Sequence, residues 1–194
     1  MKWNDVSDMP CSVARSLSVI GDRWTLLILR NAFMRMRRFD DFQSSLGLTR
    51  HLLASRLKRL VEEGILERVP YQQSPARYEY VLTDKGRALH PVLMALAVWG
   101  DDWMDKGMGP PLLYQHRTCG HVMRPVMVCS ACHEPLSATQ VTPLPGPGLM
   151  AAQEDLAQAA SKAGVVPREG AVGSRKKPSK AGAAAKPRQR ARAA

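Results

Sequence analysis

The stretch that decides the fold is residues 46–64, which read LGLTRHLLASRLKRLVEEG. Apolar residues recur in it at intervals of four and three, which predicts an amphipathic helix with one apolar side. That side consists of Leu53, Leu57 and Leu60. Thr49 is a typical N-cap residue, and Gly64 suits the left-handed conformation that commonly ends a helix. The sequence therefore predicts a helix within residues 49–63.

The opposite side of this helix carries cationic and hydrogen-bonding residues. They are His51, Ser55, Lys58 and Arg59, with Arg50 and Arg56 on the flanks. A solvated charged surface is the ordinary interpretation of such a pattern. However, the stretch from Arg30 to Arg59 holds seven Arg and one Lys against two Asp, a local net charge of +6. We therefore expect this side of the helix to bind a polyanion.

The segments around the helix follow a definite order. Helical spacing is present upstream, and a turn containing Gly47 separates the third predicted helix from the fourth. The upstream helices are expected at residues 11–20, 24–30 and 38–45. Residues 65–71 and 77–82 alternate apolar and polar side chains, which predicts a β-hairpin with a polar tip, and another helix opens after Thr83. This order predicts a mainly α fold with a small β-hairpin wing, a winged helix-turn-helix.

A helix-turn-helix places its second helix in the major groove of DNA. We therefore expect helix 49–63 to enter that groove of double-stranded DNA, and the wing, residues 71–77, to lie on the backbone or in the minor groove. The predicted base-reading residues are His51, Ser55 and Arg50. The predicted phosphate-binding residues are Arg38, Lys58, Arg59 and Arg77. Thr49, Gln72 and Gln73 complete the predicted DNA-binding set.

Residues 9–106 as an ordered set resemble the HxlR-type transcriptional regulators, a winged-helix group allied to MarR. The resemblance rests on Cys11, Gly21–Leu29, Arg38-Phe39, Leu53, Arg56-Leu57, Leu60, Gly64, Tyr78, Tyr80, Leu82-Thr83, Gly86 and Trp99. Arg23 departs from it, since Lys is usual there. The resemblance implies a homodimer built through the first and last helices and bound to a pseudo-palindromic operator. It also implies regulation of a nearby gene, more often by repression than by activation.

The last predicted helix of this domain favours a dimer independently of the resemblance. Its apolar residues recur at intervals of three and four and form a face larger than one small winged domain easily covers. They are Leu89, Val92, Leu93, Leu96, Trp99 and Trp103. The alternative is that these residues only close the core of a single chain.

Three of the four cysteines follow the winged domain, within residues 112–142. Cys129 and Cys132 have the Cys-x-x-Cys spacing of a zinc knuckle, and His116 and Cys119 repeat that spacing. This pattern predicts a zinc-ribbon-like segment that holds a structural Zn²⁺ through a Cys₃His set.

The predicted zinc site leaves several questions open. His121 and His133 compete with His116 for the fourth ligand position, and residues 126–128 are expected to form a strand before the second knuckle. A ribbon without metal and a redox-active thiol pair are the alternatives to zinc.

Cys11 lies apart from the others, at the start of the first helix, where the resemblance implies an oxidant-sensing thiol in some relatives. A small buried residue is the favoured interpretation of it. The alternative function for the whole chain is therefore a thiol-based redox protein or redox-sensing regulator that uses Cys11 or Cys129 and Cys132.

The positive charge is concentrated at one end of the chain. Residues 161–194 carry a net charge of +9, whereas residues 1–160 carry only +2. Residues 143–194 are rich in Ala, Pro, Lys and Arg and predict a largely disordered tail, apart from a short helix near 150–163. A general nucleic-acid-binding protein dominated by this tail is a further alternative.

Other classes of protein are disfavoured by what the sequence lacks. It has no apolar run of membrane-spanning length and no secretory signal at its start, so we expect a cytoplasmic protein without membrane contact. It has no P-loop, dinucleotide-binding glycine turn or HExxH motif, so we expect no enzymatic activity. A small-molecule effector is compatible with the pattern, but no residue identifies it.

Overall fold

The computed structural model describes residues 3–162 of the 194-residue chain. One compact unit ends at Ala152, and a second begins at Gln153. The elements, in chain order, are a short 3-10 helix at Trp3–Asp8, then α1 Ser12–Ile20, α2 Arg23–Phe33, α3 Phe39–Leu46, α4 Arg50–Glu62, β1 Leu66–Gln72, β2 Arg77–Leu82, α5 Asp84–Arg87, α6 His90–Trp103, β3 Tyr114–Gln115, β4 Val122–Met123 and α7 Pro147–Lys162.

Helices α3 and α4 and the turn between them form the predicted helix-turn-helix. Gly47 ends α3 with a φ of 63°, and Thr49 caps α4 by accepting a hydrogen bond from the Leu52 N–H at 3.3 Å. Gly64 follows α4 with a φ of 66°, as predicted for the residue that ends the helix. Local capping chemistry therefore sets both ends of α4.

Strands β1 and β2 form the predicted wing. They pair antiparallel from Leu66 opposite Leu82 to Gln72 opposite Arg77, with an irregularity between Pro70 and Gln72. The outer edge of β2 is also paired, because the Tyr80 N–H donates to the Arg37 carbonyl oxygen at 2.8 Å. The wing is thereby attached to the loop before α3.

The core lies between α2, α3, α4 and the base of the wing. The leucine side of α4 is fully buried in it, as the spacing predicts. The largest fully buried apolar side chains of the core are Phe42, Ile28, Leu29, Leu53, Leu57, Leu60, Ile65 and Leu66. Burying such side chains contributes about 1.5–3 kcal/mol each. The orientation of α4 is therefore determined by its apolar side.

The prediction of one continuous helix after Thr83 is wrong, because the structure has two. Helix α5 ends at Arg87, and α6 begins at His90. Pro91 stands four residues after Arg87 and has no N–H to donate to the Arg87 carbonyl oxygen, so the helical hydrogen-bond ladder is interrupted.

Residues 112–142 contain little regular structure and no buried side chain. Strands β3 and β4 pair over two residues each. The strand predicted at residues 126–128 is wrong, since only an isolated bridge forms, between Val128 and Pro135. Within this segment Tyr114, Pro125 and Cys129 are partly covered, and every other residue is exposed. The segment has no apolar core of its own.

Helix α7 begins three residues before the predicted short helix, with Pro147 in the first turn, where proline is well tolerated. Of the tail predicted over residues 143–194, residues 163–194 lie outside the described residues. Among the helices of residues 3–162, none combines the length and the hydropathy needed to cross a membrane.

Candidate DNA-binding surface

Two of the three predicted base-reading residues, His51 and Ser55, lie in the first half of α4 on its solvent side. His51 and Ser55 are exposed, one helical turn apart, while Leu53 and Leu57 between and beyond them are fully buried. The helix therefore presents polar side chains outward while its leucines hold it in the domain. This is the arrangement that a groove-binding helix requires.

A carboxylate outside the predicted set positions α4. Asp22 caps α2, where its Oδ1 accepts hydrogen bonds from the N–H groups of Trp24 at 3.0 Å and Thr25 at 3.2 Å. The same carboxylate pairs with Arg56 of α4 through Nε at 3.1 Å and Nη2 at 3.2 Å. Burial raises the pKa of Asp22, but Arg56 and the two N–H groups lower it more, so the pKa lies below the usual 3.8.

Arg59, predicted to bind phosphate, contacts its own domain. Its Nη2 donates to the carbonyl oxygen of Ser18 in α1 at 2.6 Å, although the residue remains exposed. Lys58, also predicted to bind phosphate, forms an exposed ion pair with Glu62 one turn later at 3.6 Å. Exposed pairs of this kind contribute little to stability, so the cation can exchange its partner for a phosphate at small cost.

A cleft of about 520 Å³ separates the start of α3 and α4 from the wing. Four arginines line it together with tyrosines from both strands and the acids Asp40 and Asp41. The arginines are Arg38, Arg50, Arg68 and Arg77. The four arginines outnumber the two acids, so the cleft has a net positive lining, and cationic clefts concentrate anions.

Three of these arginines lie over aromatic rings, and two of the three also form ion pairs. Arg38 lies over the Tyr71 ring at 4.8 Å and pairs with Glu79 at 3.5 Å. Arg50, the first residue of α4, lies over the Phe39 ring at 4.9 Å and pairs with Asp40 at 3.4 Å. Stacking leaves the edge of a guanidinium free to donate to a further anion.

Arg68 is a cleft residue that sequence reasoning missed. Its guanidinium lies over the Tyr78 ring at 3.6 Å on the exposed side of the wing. The alternation of β1 placed Arg68 on the polar side, but only the pairing of β1 with β2 brings it beside Tyr78 and into the cleft.

The wing tip is polar and exposed. Gln72 donates from Nε2 to the Ser74 carbonyl oxygen at 3.1 Å. Gln73 and Arg77 are exposed there. Thr49 is exposed as well, with its hydroxyl oxygen engaged in the α4 cap.

The six apolar residues predicted on the last helix divide into two groups. Leu89, which precedes α6, and Leu93 pack against the core. The other four, Val92, Leu96, Trp99 and Trp103, are 43%, 47%, 57% and 76% exposed. Helix α1 also carries exposed apolar residues, Val13 and Leu17.

The predicted metal ligands lie in two separate pairs. His116 Nδ1 is 3.3 Å from Cys119 Sγ. Backbone N–H groups of Cys132 and Ala131, together with the Cys132 side chain, lower the pKa of the Cys129 thiol. Nowhere in residues 3–162 do three His, Cys, Asp or Glu side chains come close enough together to hold a metal ion.

The expectation that Cys11 is a small buried residue is wrong. Cys11 is exposed and occupies the N-cap position of α1, where its side chain makes no capping hydrogen bond. Cys11 precedes the first turn of α1, and the only buried residues of this helix are Ala14 and Ile20.

Known proteins share this architecture. Residues 19–108 match the HxlR-like helix-turn-helix family. The HTH-type transcriptional regulator Rv3095 of Mycobacterium tuberculosis is 47% identical over 140 residues, which are 72% of this chain and 89% of that protein. The HTH-type transcriptional regulator YvaP of Bacillus subtilis is 34% identical over 100 residues, 51% of this chain and 93% of that protein.

Solved structures agree with these matches. The crystal structure of PA1607, a candidate transcription factor, superposes with a TM-score of 0.65 at 40% identity, over 72% of this chain and 98% of that one. The candidate transcription factor PA1374 of Pseudomonas aeruginosa gives a TM-score of 0.52 at 41% identity, over 71% and 93%.

The likeness to the mycobacterial protein extends beyond the winged domain. In a chain of 194 residues, any continuous stretch of 140 includes residues 55–140, so the match runs through the segment that holds the clustered cysteines. With its helix-turn-helix, its wing and this extent of likeness, the chain belongs to the HxlR-like helix-turn-helix family of DNA-binding transcriptional regulators.

Proposed function

We propose that the chain is a homodimeric repressor that reads a pseudo-palindromic operator with α4 and clamps the phosphate backbone with the arginine cleft and the wing. The observation that carries the proposal is the outward placement of His51 and Ser55 beside a cleft lined by four arginines. His51 and Ser55 read base edges, and the four arginines hold phosphates. The protein acts by binding, without a catalytic step.

The dimer is supported by the exposed apolar face of α6. Four large apolar side chains at intervals of four, three and four residues are unusual on a surface that meets only water. Val13 and Leu17 of α1 are exposed apolar side chains as well. A second copy of the chain would cover both helices in a symmetric interface, in which the same surface is used twice.

DNA binding is tested with fluorescently labelled duplexes that tile the DNA upstream of the protein's own gene. Fluorescence anisotropy at several salt concentrations should show one duplex bound at least 10³-fold more tightly than a scrambled duplex of about the same length. Equal affinity for all duplexes would refute sequence-specific binding.

The two-fold symmetry is tested on the operator itself. Two half-sites read by a symmetric dimer lie about 10 base pairs apart or a multiple of that distance. Inserting about five base pairs between them turns one half-site to the opposite side of the duplex and should abolish tight binding. Inserting about ten is the control, because it restores the relative orientation of the half-sites.

Repression is tested in cells with a reporter fused to the bound promoter. Deletion of the gene should raise transcription, and a copy with His51→Ala should fail to lower it again. A fall in transcription on deletion would instead indicate an activator.

A small-molecule effector fits a cavity of about 370 Å³ beside α1. Arg15 and Lys85 line it together with apolar residues such as Val19 and Leu89. This combination suits a small anion with an apolar body. Because α1 contributes to the proposed dimer surface, a ligand bound there would alter how the two DNA-reading helices are held.

A further inference from the structure

Two turns in residues 112–142 have the same backbone structure, although their sequences differ. In the first, the His116 N–H donates to the His121 carbonyl oxygen at 2.9 Å and the Gly120 N–H to the His116 carbonyl oxygen at 2.7 Å. In the second, the Cys129 N–H donates to the Glu134 carbonyl oxygen and the His133 N–H to the Cys129 carbonyl oxygen, both at 2.9 Å. The second turn thus repeats the first with an offset of 13 residues.

The similarity extends to both sides of the turns. Gln115 pairs with Val122 around the first turn, and Val128 pairs with Pro135 around the second, again with the same offset. The fifth residue of each turn, Gly120 or His133, has a positive φ, 73° and 61°. Each turn is therefore the tip of a small antiparallel hairpin.

The two turns also carry their candidate ligands at the same positions. Cys129 and Cys132 are the first and fourth residues of the second turn, and His116 and Cys119 are the first and fourth residues of the first. Two side chains at the ends of a Cys-x-x-Cys turn can then point at one ion.

The equivalence of the turns also favours one of the three histidines as the partner of the cysteines. His116 corresponds to Cys129, and Cys119 corresponds to Cys132, so His116 occupies a ligand position. His133 corresponds to Gly120. Because glycine has no side chain, the first turn supplies no ligand at this position, and the equivalence does not favour His133. His121 corresponds to Glu134 and lies beyond the turn. The 3.3 Å between His116 Nδ1 and Cys119 Sγ approaches the roughly 3.6 Å expected between N and S ligands of one tetrahedral Zn²⁺.

The segment needs a stabilising element other than an apolar core. No residue within 112–142 is buried, and all four cysteines of the chain are free thiols. Segments of this size without a core or disulfides are held together by a metal in many small domains. Three thiolates and one imidazole are a donor set that suits Zn²⁺ over hard cations such as Mg²⁺.

We propose that the two hairpin turns close on one structural Zn²⁺, bound by Cys119, Cys129, Cys132 and Nδ1 of His116. The two pairs of ligands do not lie together as one group in the structure, so binding brings the hairpins towards each other. A complete set of four protein ligands leaves no open position for substrate, which makes the ion structural. None of the four ligand residues belongs to α4, to the strands of the wing or to the arginine cleft.

The test uses the full chain without a histidine tag, reduced and freed of metal by a chelator under nitrogen. Titration with Co²⁺ should saturate at one ion per chain and give the intense visible absorption of tetrahedral thiolate coordination. Zn²⁺ should then displace the Co²⁺ one for one. Absence of saturation, or the weak absorption of octahedral Co²⁺, would overturn the proposal.

Matched variants assign the ligands. Cys129→Ser and Cys132→Ser should lose stoichiometric binding, whereas Cys11→Ser, His121→Ala and His133→Ala should keep it. His116→Ala should weaken binding by at least an order of magnitude, and His116→Cys should restore it with a spectrum shifted by the fourth thiolate. Full binding by His116→Ala, or its loss in His133→Ala, would overturn the assignment of His116.

Thiol alkylation supplies a measurement that does not depend on the folding of variants. In the zinc-loaded chain, Cys11 should react with iodoacetamide while the other three cysteines are protected, and chelation should expose them. Equal reactivity of all four thiols before and after chelation would contradict a metal-bound ribbon. A thiol redox function would instead show a Cys129–Cys132 disulfide after mild oxidation of the zinc-loaded chain, and no zinc retention.

Discussion

The side chain of Asp22 affects both the stability of the fold and the placement of α4. It caps α2 and pairs with Arg56, and its lowered pKa has a direct consequence for stability. A group whose pKa is lower in the folded state stabilises the fold above its unfolded pKa. That contribution is lost as the pH falls through the folded value.

Two substitutions of Asp22 separate its roles. Asn caps helices about as well as Asp, so Asp22→Asn removes only the ion pair and should cost less than about 1 kcal/mol at pH 7, since the pair is partly exposed. Asp22→Ala also removes the cap and should cost about 1 kcal/mol more. Urea unfolding should show the cost of Asp22→Asn shrinking as the pH falls from about 5 towards 2. A cost that does not change with pH would mean that the charge of Asp22 is not stabilising.

His51 and Arg77 should differ in what they contribute to DNA binding. His51→Ala should lower affinity for the preferred operator by about 1–3 kcal/mol and leave binding to scrambled DNA nearly unchanged. Arg77→Ala should weaken binding to both and make the slope of log affinity against log salt about 0.9 shallower. Anisotropy titrations measure both quantities.

Lys106→Ala is the matched control for these variants, because it removes an exposed cation outside the cleft and α4. If Lys106→Ala changed the salt slope as much as Arg77→Ala, the effect would belong to overall charge and not to a contact at the wing.

At the scale of elements, glycine sets how closely α5 packs at the base of the wing. A Cβ added to Gly86 would lie 2.2 Å from the carbonyl oxygen of Ile65 and 3.0 Å from Leu82 Cδ2. The backbone of Ile65 cannot move aside as a flexible side chain can, so α5 would have to shift away from it. Gly64 is different, since its φ of 66° requires a left-handed backbone but nothing lies near its Cβ position.

Gly86→Ala should therefore destabilise the fold more than Gly64→Ala. We expect about 1–3 kcal/mol for Gly86→Ala from overpacking, and about 1 kcal/mol for Gly64→Ala from left-handed strain. Urea unfolding of the two variants measures the difference. The reverse order would mean that α5 tolerates displacement from the wing.

At the scale of the whole molecule, the exposed face of α6 should control assembly. Leu96→Asp places a charge in the centre of the proposed interface and should convert the dimer to a monomer by size-exclusion chromatography with light scattering. Binding to an operator with two half-sites should weaken with it. Met108→Asp is the control, because Met108 is a highly exposed apolar residue outside α6. A dimer mass for Leu96→Asp would place the interface elsewhere.

The sequence predicted most of the architecture because the decisive signals are local. Capping residues, the leucine spacing of α4 and the alternation in the wing act within a few neighbours, and the structure confirms each of them. Pro91 is also a local signal, and it divides the predicted last helix into α5 and α6. The sequence also shows the two knuckle spacings, at residues 116–119 and 129–132. Spacing alone does not indicate which of His116, His121 and His133 would be the fourth zinc ligand.

Only the tertiary structure decided which side chains meet across the fold. Arg56 meets Asp22 across 34 residues and Arg59 meets Ser18 across 41, so neither contact follows from a local pattern. The division of the apolar residues near α6 into core and surface likewise depends on how that helix packs on the domain. The sequence by itself determines where helices, turns and the wing occur, because these depend on neighbours along the chain. Their contacts depend on packing, which involves residues far apart along the chain.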